Sequence, residues 1–291
     1  MENNRINYSS LKKIVELADS SKLSFSDIVI KEQAQTLELS EEKLLTMMKE
    51  RYEVMKQSIE DGLARKSNLK IEQQDGSKLY DKYVKEGKSL LGNVLGTIAS
   101  RAMAVSELNA SMGKICASPT AGSCGIMPAS IISIEEFYKV PHDKVIKALF
   151  TSAGIGMVVA NVMGVAGATA GCQAECGTAT AMAAGTIVEM LGGTNDMILD
   201  AVAISLKNIE GLVCDPVAGL VECPCIKRNS SGAVSAVLAA DMALAGIKSI
   251  IPADEVISSL KQVGMKMSPE LKETSLAGLA TTKTGKNFVL A

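Results

Sequence analysis

The stretch Ala148–Ala174, ALFTSAGIGMVVANVMGVAGATAGCQA, carries no charged side chain, and its reading decides the fold. It is long enough to cross a bilayer, so the choice lies between a membrane span and a buried core. Thr151, Ser152, Asn161, Thr169 and Gln173 interrupt it, glycines recur through it, and no aromatic and Lys/Arg flanks mark both of its ends. Small side chains instead suit helices or glycine turns that approach closely in a soluble core. No membrane association is expected. Period-2 alternation and Val/Ile/Tyr runs are missing from residue 91 onward, which argues against strands. The expected fold is therefore all-α, a helical domain with long loops that carry its cysteines.

Upstream, the texture changes. The first 90 residues hold 32 charged side chains, and the following 201 hold 30. Residues 1–90 are expected to form a charged, amphipathic helical region packed on the core, and residues 91–291 the core itself, as one continuous domain. Ser40 before Glu41 and Glu42 predicts a helix start, since a hydroxyl caps free N–H groups and acids favour the positive end of the dipole. Leu44, Met48, Tyr52, Met55, Ile59 and Leu63 then form one apolar face, which reads as packing. Residues 66–78, KSNLKIEQQDGSK, read as a loop.

The 30 Lys and Arg against 32 Asp and Glu leave a net charge of -2, and no basic stripe suggests a nucleic-acid partner. The N-terminus shows no basic segment followed by an apolar one, so a cytoplasmic location with reduced thiols is expected. The chain has seven cysteines and one histidine. His142 lies in a Pro-His-Asp turn far from the cysteines and reads as a surface or capping residue.

Two regions carry chemistry. In NASMGKICASPTAGSCGIMPA (109–129), hydroxyls, a lysine and glycines offer donors for an anion, although no P-loop spacing occurs here or at Gly87-Lys88-Ser89 and Gly285-Lys286-Asn287. Five further thiols lie in GCQAECG (171–177) and GLVCDPVAGLVECPCIKRN (211–229). Neither segment has the Cys-x-x-Cys knuckle of structural zinc, whereas iron–sulfur clusters accept thiolates at irregular spacings.

These three segments, in this order, closely resemble the alpha subunit of the iron–sulfur-dependent L-serine dehydratases, or L-serine ammonia-lyases, over most of the chain. The resemblance implies a helical catalytic part and a [4Fe–4S] cluster held by Cys172, Cys214 and Cys225, with one iron open to substrate. The roles of Cys116, Cys124, Cys176 and Cys223 stay open. It also implies a heterodimer with a beta subunit that bears a Ser-Ser-His-Thr motif, a motif missing from this sequence. Single-chain relatives end in a cysteine tail that can reach the cluster; here the last residues, Phe288-Val-Leu-Ala291, include no cysteine.

Serine dehydration removes an unacidic Cα proton and expels a poor leaving group, which calls for a Lewis acid and a positioned base. Lys227 and Arg228 follow Cys225 closely in a region poor in charge, and Glu175 is the one charge between residues 148 and 188. These three are the candidate catalytic residues. Ser118, Thr120, Ser123 and Asn229 are candidates for holding substrate. A pyridoxal-phosphate enzyme using Lys114 would need a parallel α/β fold. A cysteine desulfidase shares the Lewis-acid logic, and a redox protein would close its cluster with a fourth thiol.

Overall fold

The computed structural model describes residues 6–289, and no strand occurs among the described residues. In chain order the helices are α1 (Leu11–Ser21), α2 (Phe25–Leu37), α3 (Glu41–Ala64), α4 (Gly76–Lys85), α5 (Gly92–Ala110), α6 (Ile126–Tyr138), α7 (His142–Met163), α8 (Gly167–Ala170), α9 (Thr178–Met190), α10 (Asn195–Lys207), α11 (Cys225–Leu244), α12 (Ala253–Lys266) and α13 (Lys283–Val289). The all-α expectation holds.

Helix α9 is the centre of the core. Every one of its residues except Glu189 is buried, and α6, α7, α10 and α11 pack around it. A helix hydrophobic on all sides needs neighbours on all sides, and small residues bring them close. A Cβ on Gly185 would stand 2.5 Å from Cδ1 of Ile155 on α7.

The uncharged stretch is not one helix. Gly164 (φ 78°) ends α7, and Gly171 (φ 77°) ends the single turn of α8. Such positive φ values favour glycine, so the sequence itself sets these breaks. Helix α7 is long and apolar enough to cross a membrane, but 67% of its most apolar window lies buried inside the chain.

In the N-terminal region, Ser40 Oγ accepts from Lys43 N at 3.1 Å and caps α3 as expected. Leu44, Tyr52, Met55 and Ile59 are buried, while Met48 and Leu63 are partly buried against the core. The methionine stripe is a packing face toward α5, α6 and α7. The loop is shorter than residues 66–78, because Gly76, Ser77 and Lys78 open α4. Buried Glu107 on α5 accepts from Ser77 N at 2.8 Å and Ser77 Oγ at 2.6 Å. This cap comes from 30 residues away, so local composition could not announce it.

The expectation of long loops for the cysteines needs correction. Cys214 and Cys223 lie on the connection 208–224, but Cys225 opens α11, and Cys172 directly precedes a π-helical turn, Gln173–Gly177, that contains Cys176. Helix starts deliver Cys172 and Cys225, and at Cys172 the Gly171 turn lets helical structure resume at once.

Candidate active site

The π-helical turn is tied to the 208–224 connection. Leu212 O accepts from Gln173 N at 3.0 Å, Gly211 N donates to Gln173 Oε1 at 2.9 Å, and Gln173 Nε2 donates to Leu260 O at 3.0 Å. A Cβ on Gly171 would lie 2.7 Å from Leu212 O. These contacts set Cys172 beside the segment that carries Cys214. Cys214 is fixed from its other side, since Cys214 N donates to Leu271 O at 2.9 Å and Glu273 N donates to Cys214 O at 2.7 Å.

Glu175, within the first cysteine segment, bridges the 118–125 loop and Cys214. Thr120 Oγ1 donates to its Oε1 at 2.9 Å, and Cys214 Sγ stands 3.9 Å from its Oε2. Glycines make room for the carboxylate: a Cβ on Gly167 would be 2.7 Å from Glu175 Oε2 and 2.9 Å from Cys214 Sγ. Burial pushes the Glu175 carboxyl above the usual range, and the Thr120 bond opposes that shift.

Arg228 spans the same region. Its Nη1 donates to Val213 O at 2.8 Å and its Nη2 to Asp215 Oδ1 at 3.0 Å. Asp215 is almost completely buried and also accepts from Leu279 N at 2.8 Å. Asn229 fastens the 118–125 loop to α11: its Nδ2 donates to Gly122 O at 2.7 Å and to Cys225 O at 2.9 Å, and its Oδ1 accepts from Gly125 N at 2.9 Å.

The thiols sense one another. A hydrogen bond from Cys176 holds Cys172 below the ordinary thiol range, with Arg228 adding to that effect. The two sulfurs are 3.3 Å apart. Burial raises Cys214 and lifts Cys225 to about 12, the Cys172 charge adding to both. Such values disfavour free thiolates here unless cationic charge compensates them.

No group of three or more His, Cys, Asp and Glu that could hold a single metal ion occurs among the described residues. A four-iron cluster asks for something different, because its irons occupy separate corners and its thiolates do not converge on one point. Cys172, Cys214 and Cys225 arrive from three segments around one arginine and fit such a group by donor chemistry.

The remaining candidates divide. Thr120 faces Glu175. Ser123 is fully buried, with its hydroxyl 3.1 Å from Thr120 Oγ1 and 3.4 Å from Ser118 O, and Ser118 contacts Cys116 O at 3.5 Å, so both serve the loop itself. Lys227 is brought near Cys223 rather than to the candidate ligands Cys172, Cys214 and Cys225. It pairs with Glu72 at the edge of a cleft of about 380 Å³ lined also by Tyr80, Tyr83, Met103 and Glu107. His142 is half exposed and pairs with Glu135 at 3.0 Å, as a surface residue would.

Sequence reasoning missed Gln173, Asp215 and Glu222. Glu222 seats its carboxylate on the backbone N–H groups of Lys70, Ile71 and Glu72 at 2.7 to 3.1 Å. Asp215 and Glu222 had one available signal, since each is an acid within three residues of a candidate ligand in a region poor in charge.

Comparison with known proteins identifies the family. The family model described as serine dehydratase alpha chain matches residues 20–280. A probable L-serine dehydratase alpha chain of Bacillus subtilis (strain 168) is 44% identical over 97% of this chain and 94% of its own length. The L-serine dehydratase alpha chain of Peptoniphilus asaccharolyticus is 41% identical over 95% of each. The L-serine dehydratase of Helicobacter pylori (strain ATCC 700392 / 26695) is 35% identical over 94% of this chain and 62% of that protein. The chain belongs to the serine dehydratase alpha chain family.

Proposed function

We propose that this chain is the alpha subunit of a cytoplasmic heterodimer that converts L-serine to pyruvate and ammonia with a [4Fe–4S] cluster held by Cys172, Cys214 and Cys225. The observation that carries the reading is the meeting of these thiols' segments around Arg228 and the raised carboxyl of Glu175. When bound, the cluster supplies a Lewis-acid iron for the leaving hydroxyl.

The chain's own residues supply the rest. Arg228 places permanent positive charge beside Cys172 and offsets the negative charge of the thiolates. Glu175 takes the Cα proton at Oε2, while Thr120 fixes Oε1; its raised affinity for protons makes it a stronger base than an exposed carboxylate. Asn229 holds the 118–125 loop against α11, and Ser118 and Ser123 set the shape of that loop. Lys227 secures the 65–75 loop through Glu72. Water loss gives aminoacrylate, which tautomerises and hydrolyses to the products. The alpha-chain names of the relatives support a beta subunit as partner.

The test is anaerobic purification of the chain with and without a beta subunit, followed by iron and sulfide analysis and assays on serine, threonine and cysteine. Serine is expected to turn over fastest, and only with both subunits present. Serine replacement of Cys172, Cys214 or Cys225 should remove iron and activity together. Faster release of sulfide from cysteine would make the enzyme a desulfidase. Four required thiols with no turnover would make it a redox protein.

A further inference from the structure

Cys176 has no part in the proposed chemistry, yet it is in direct contact with a candidate ligand. Its sulfur lies 3.3 Å from that of Cys172, the one sulfur–sulfur hydrogen-bond contact among the described residues. Both side chains are buried, at 3% and 1% exposure, and both are free thiols. They stand four residues apart across one π-helical turn. Residues at this spacing share a helix face. Bonding them needs the sulfurs to close by only ~1.3 Å, given the usual S–S length of about 2.05 Å. The loop that would be closed is so short that no distant segment must move. The other thiols have different neighbours: Cys124 Sγ lies 3.9 Å from Val105 O, Cys116 Sγ 3.8 Å from Ser118 Oγ and Cys214 Sγ 3.9 Å from Glu175 Oε2.

We propose that Cys172 and Cys176 form a peroxide-responsive modification site: in the cluster-free chain they close to a reversible disulfide that shields the ligand sulfur from irreversible oxidation. The role assigned to Cys172 rests on the cluster reading above; the disulfide itself does not. In the first step the Cys172 sulfur attacks hydrogen peroxide, the O–O bond breaks, Cys172 becomes a sulfenic acid and one water leaves. In the second, the Cys176 sulfur attacks that sulfenic sulfur, the S–O bond breaks, an S–S bond forms and a second water leaves. The two thiols together lose two electrons and two protons, which peroxide accepts. Two equivalents of a small thiol reverse the reaction by exchange. Cys172 is 3% exposed, so the oxidant must be small, and hydrogen peroxide is little larger than water.

Trypsin gives a direct readout, because the peptide 148–207 contains these two cysteines and no other, and no internal Lys or Arg. The full cluster-free chain is treated with one equivalent of hydrogen peroxide, alkylated and digested. The expected result is a 148–207 peptide lighter by two hydrogens and resistant to alkylation, converted to the doubly alkylated form after dithiothreitol. Uptake of ferrous iron and sulfide should be lost on oxidation and recovered on reduction. In Cys176→Ala, the untreated chain should take up iron, but two or more equivalents of peroxide should drive Cys172 through sulfenic to sulfinic acid, one water leaving at each step, with no recovery of iron uptake by dithiothreitol.

A 148–207 peptide that keeps two alkylatable thiols, or is linked to another peptide, overturns the proposal. A wild-type chain that takes up no iron overturns the cluster reading instead, and the peptide result still decides the disulfide. Loss of iron uptake in untreated Cys176→Ala would show that Cys176 is itself a ligand and would overturn its assignment as a guard.

Discussion

The first turns of α11 separate two regions of opposite character. Cys225, Arg228 and Asn229 recur at three and four residues and share the face toward the thiols. Lys227, Ser230, Ser231 and Val234 share another, which lines a cleft with Tyr80, Leu91 and Met103. On the thiol face Arg228 is only 18% exposed and its partner Asp215 only 5%, whereas the Lys227 side chain is 65% exposed. Consecutive residues therefore occupy different dielectric worlds, because each step along a helix turns the side chain by about 100°. The same unit charge orients and neutralises on one face and is screened on the other.

The largest expected effect comes from breaking the buried face. Arg228→Ala leaves the buried Asp215 without its cationic partner and removes the donor to Val213 O. Removing one member of a buried pair costs about 3–5 kcal/mol. Urea denaturation of the chain should show a loss of that size, and iron content should fall with it. Arg228→Lys keeps the charge without the fork that serves two acceptors at once, so it should recover part of the stability. A loss under about 1 kcal/mol for Arg228→Ala would mean that this face is no more buried in effect than the cleft.

Glu175→Gln sharpens the comparison by removing a proton acceptor without removing volume. Under the proposed mechanism kcat should fall about 100-fold while iron and sulfide content hold. The pH dependence of stability has a definite sign. Burial raises Glu175 in the folded chain, so its contribution favours folding at low pH and is lost as pH rises through the folded value. Glu175→Gln should therefore stabilise the chain slightly at neutral pH and not below the unfolded carboxyl range. Unchanged kcat with retained iron would remove Glu175 from the chemistry.

Much of the scaffold was legible because its signals are local. Ser40 with Glu41 and Glu42 states a cap, and Leu44 to Leu63 states a packing face, each within a few residues. The site was legible only as a set of types. Glu175 and Arg228 stood out because charge is scarce around them, but Lys227 stood out for the same reason and points elsewhere. Helical phase separates Lys227 from Arg228, and that phase needs the start of α11 at Cys225, which follows a proline in a segment without an apolar period. Gln173, Asp215 and Glu222 stayed hidden because their partners lie 13 to 152 residues away. A hydrogen bond across such a separation leaves no local pattern.

The smallest effect belongs to the exposed face. Lys227 pairs with Glu72, whose side chain is only 11% exposed, but water around the 65%-exposed lysine screens the pair, which contributes about 1 kcal/mol. The 65–75 loop has an independent anchor, since Glu222 is buried and accepts from three successive backbone N–H groups at 2.7 to 3.1 Å. Lys227→Ala should therefore leave iron content unchanged, kcat/KM for serine within about twofold, and stability within about 1 kcal/mol. Glu222→Ala, by contrast, removes a buried acceptor from those donors and should cost more than Lys227→Ala in the same denaturation assay. A tenfold or greater fall in kcat/KM for Lys227→Ala, with iron retained, would place the cleft face in the chemistry and join the two regions that α11 now separates.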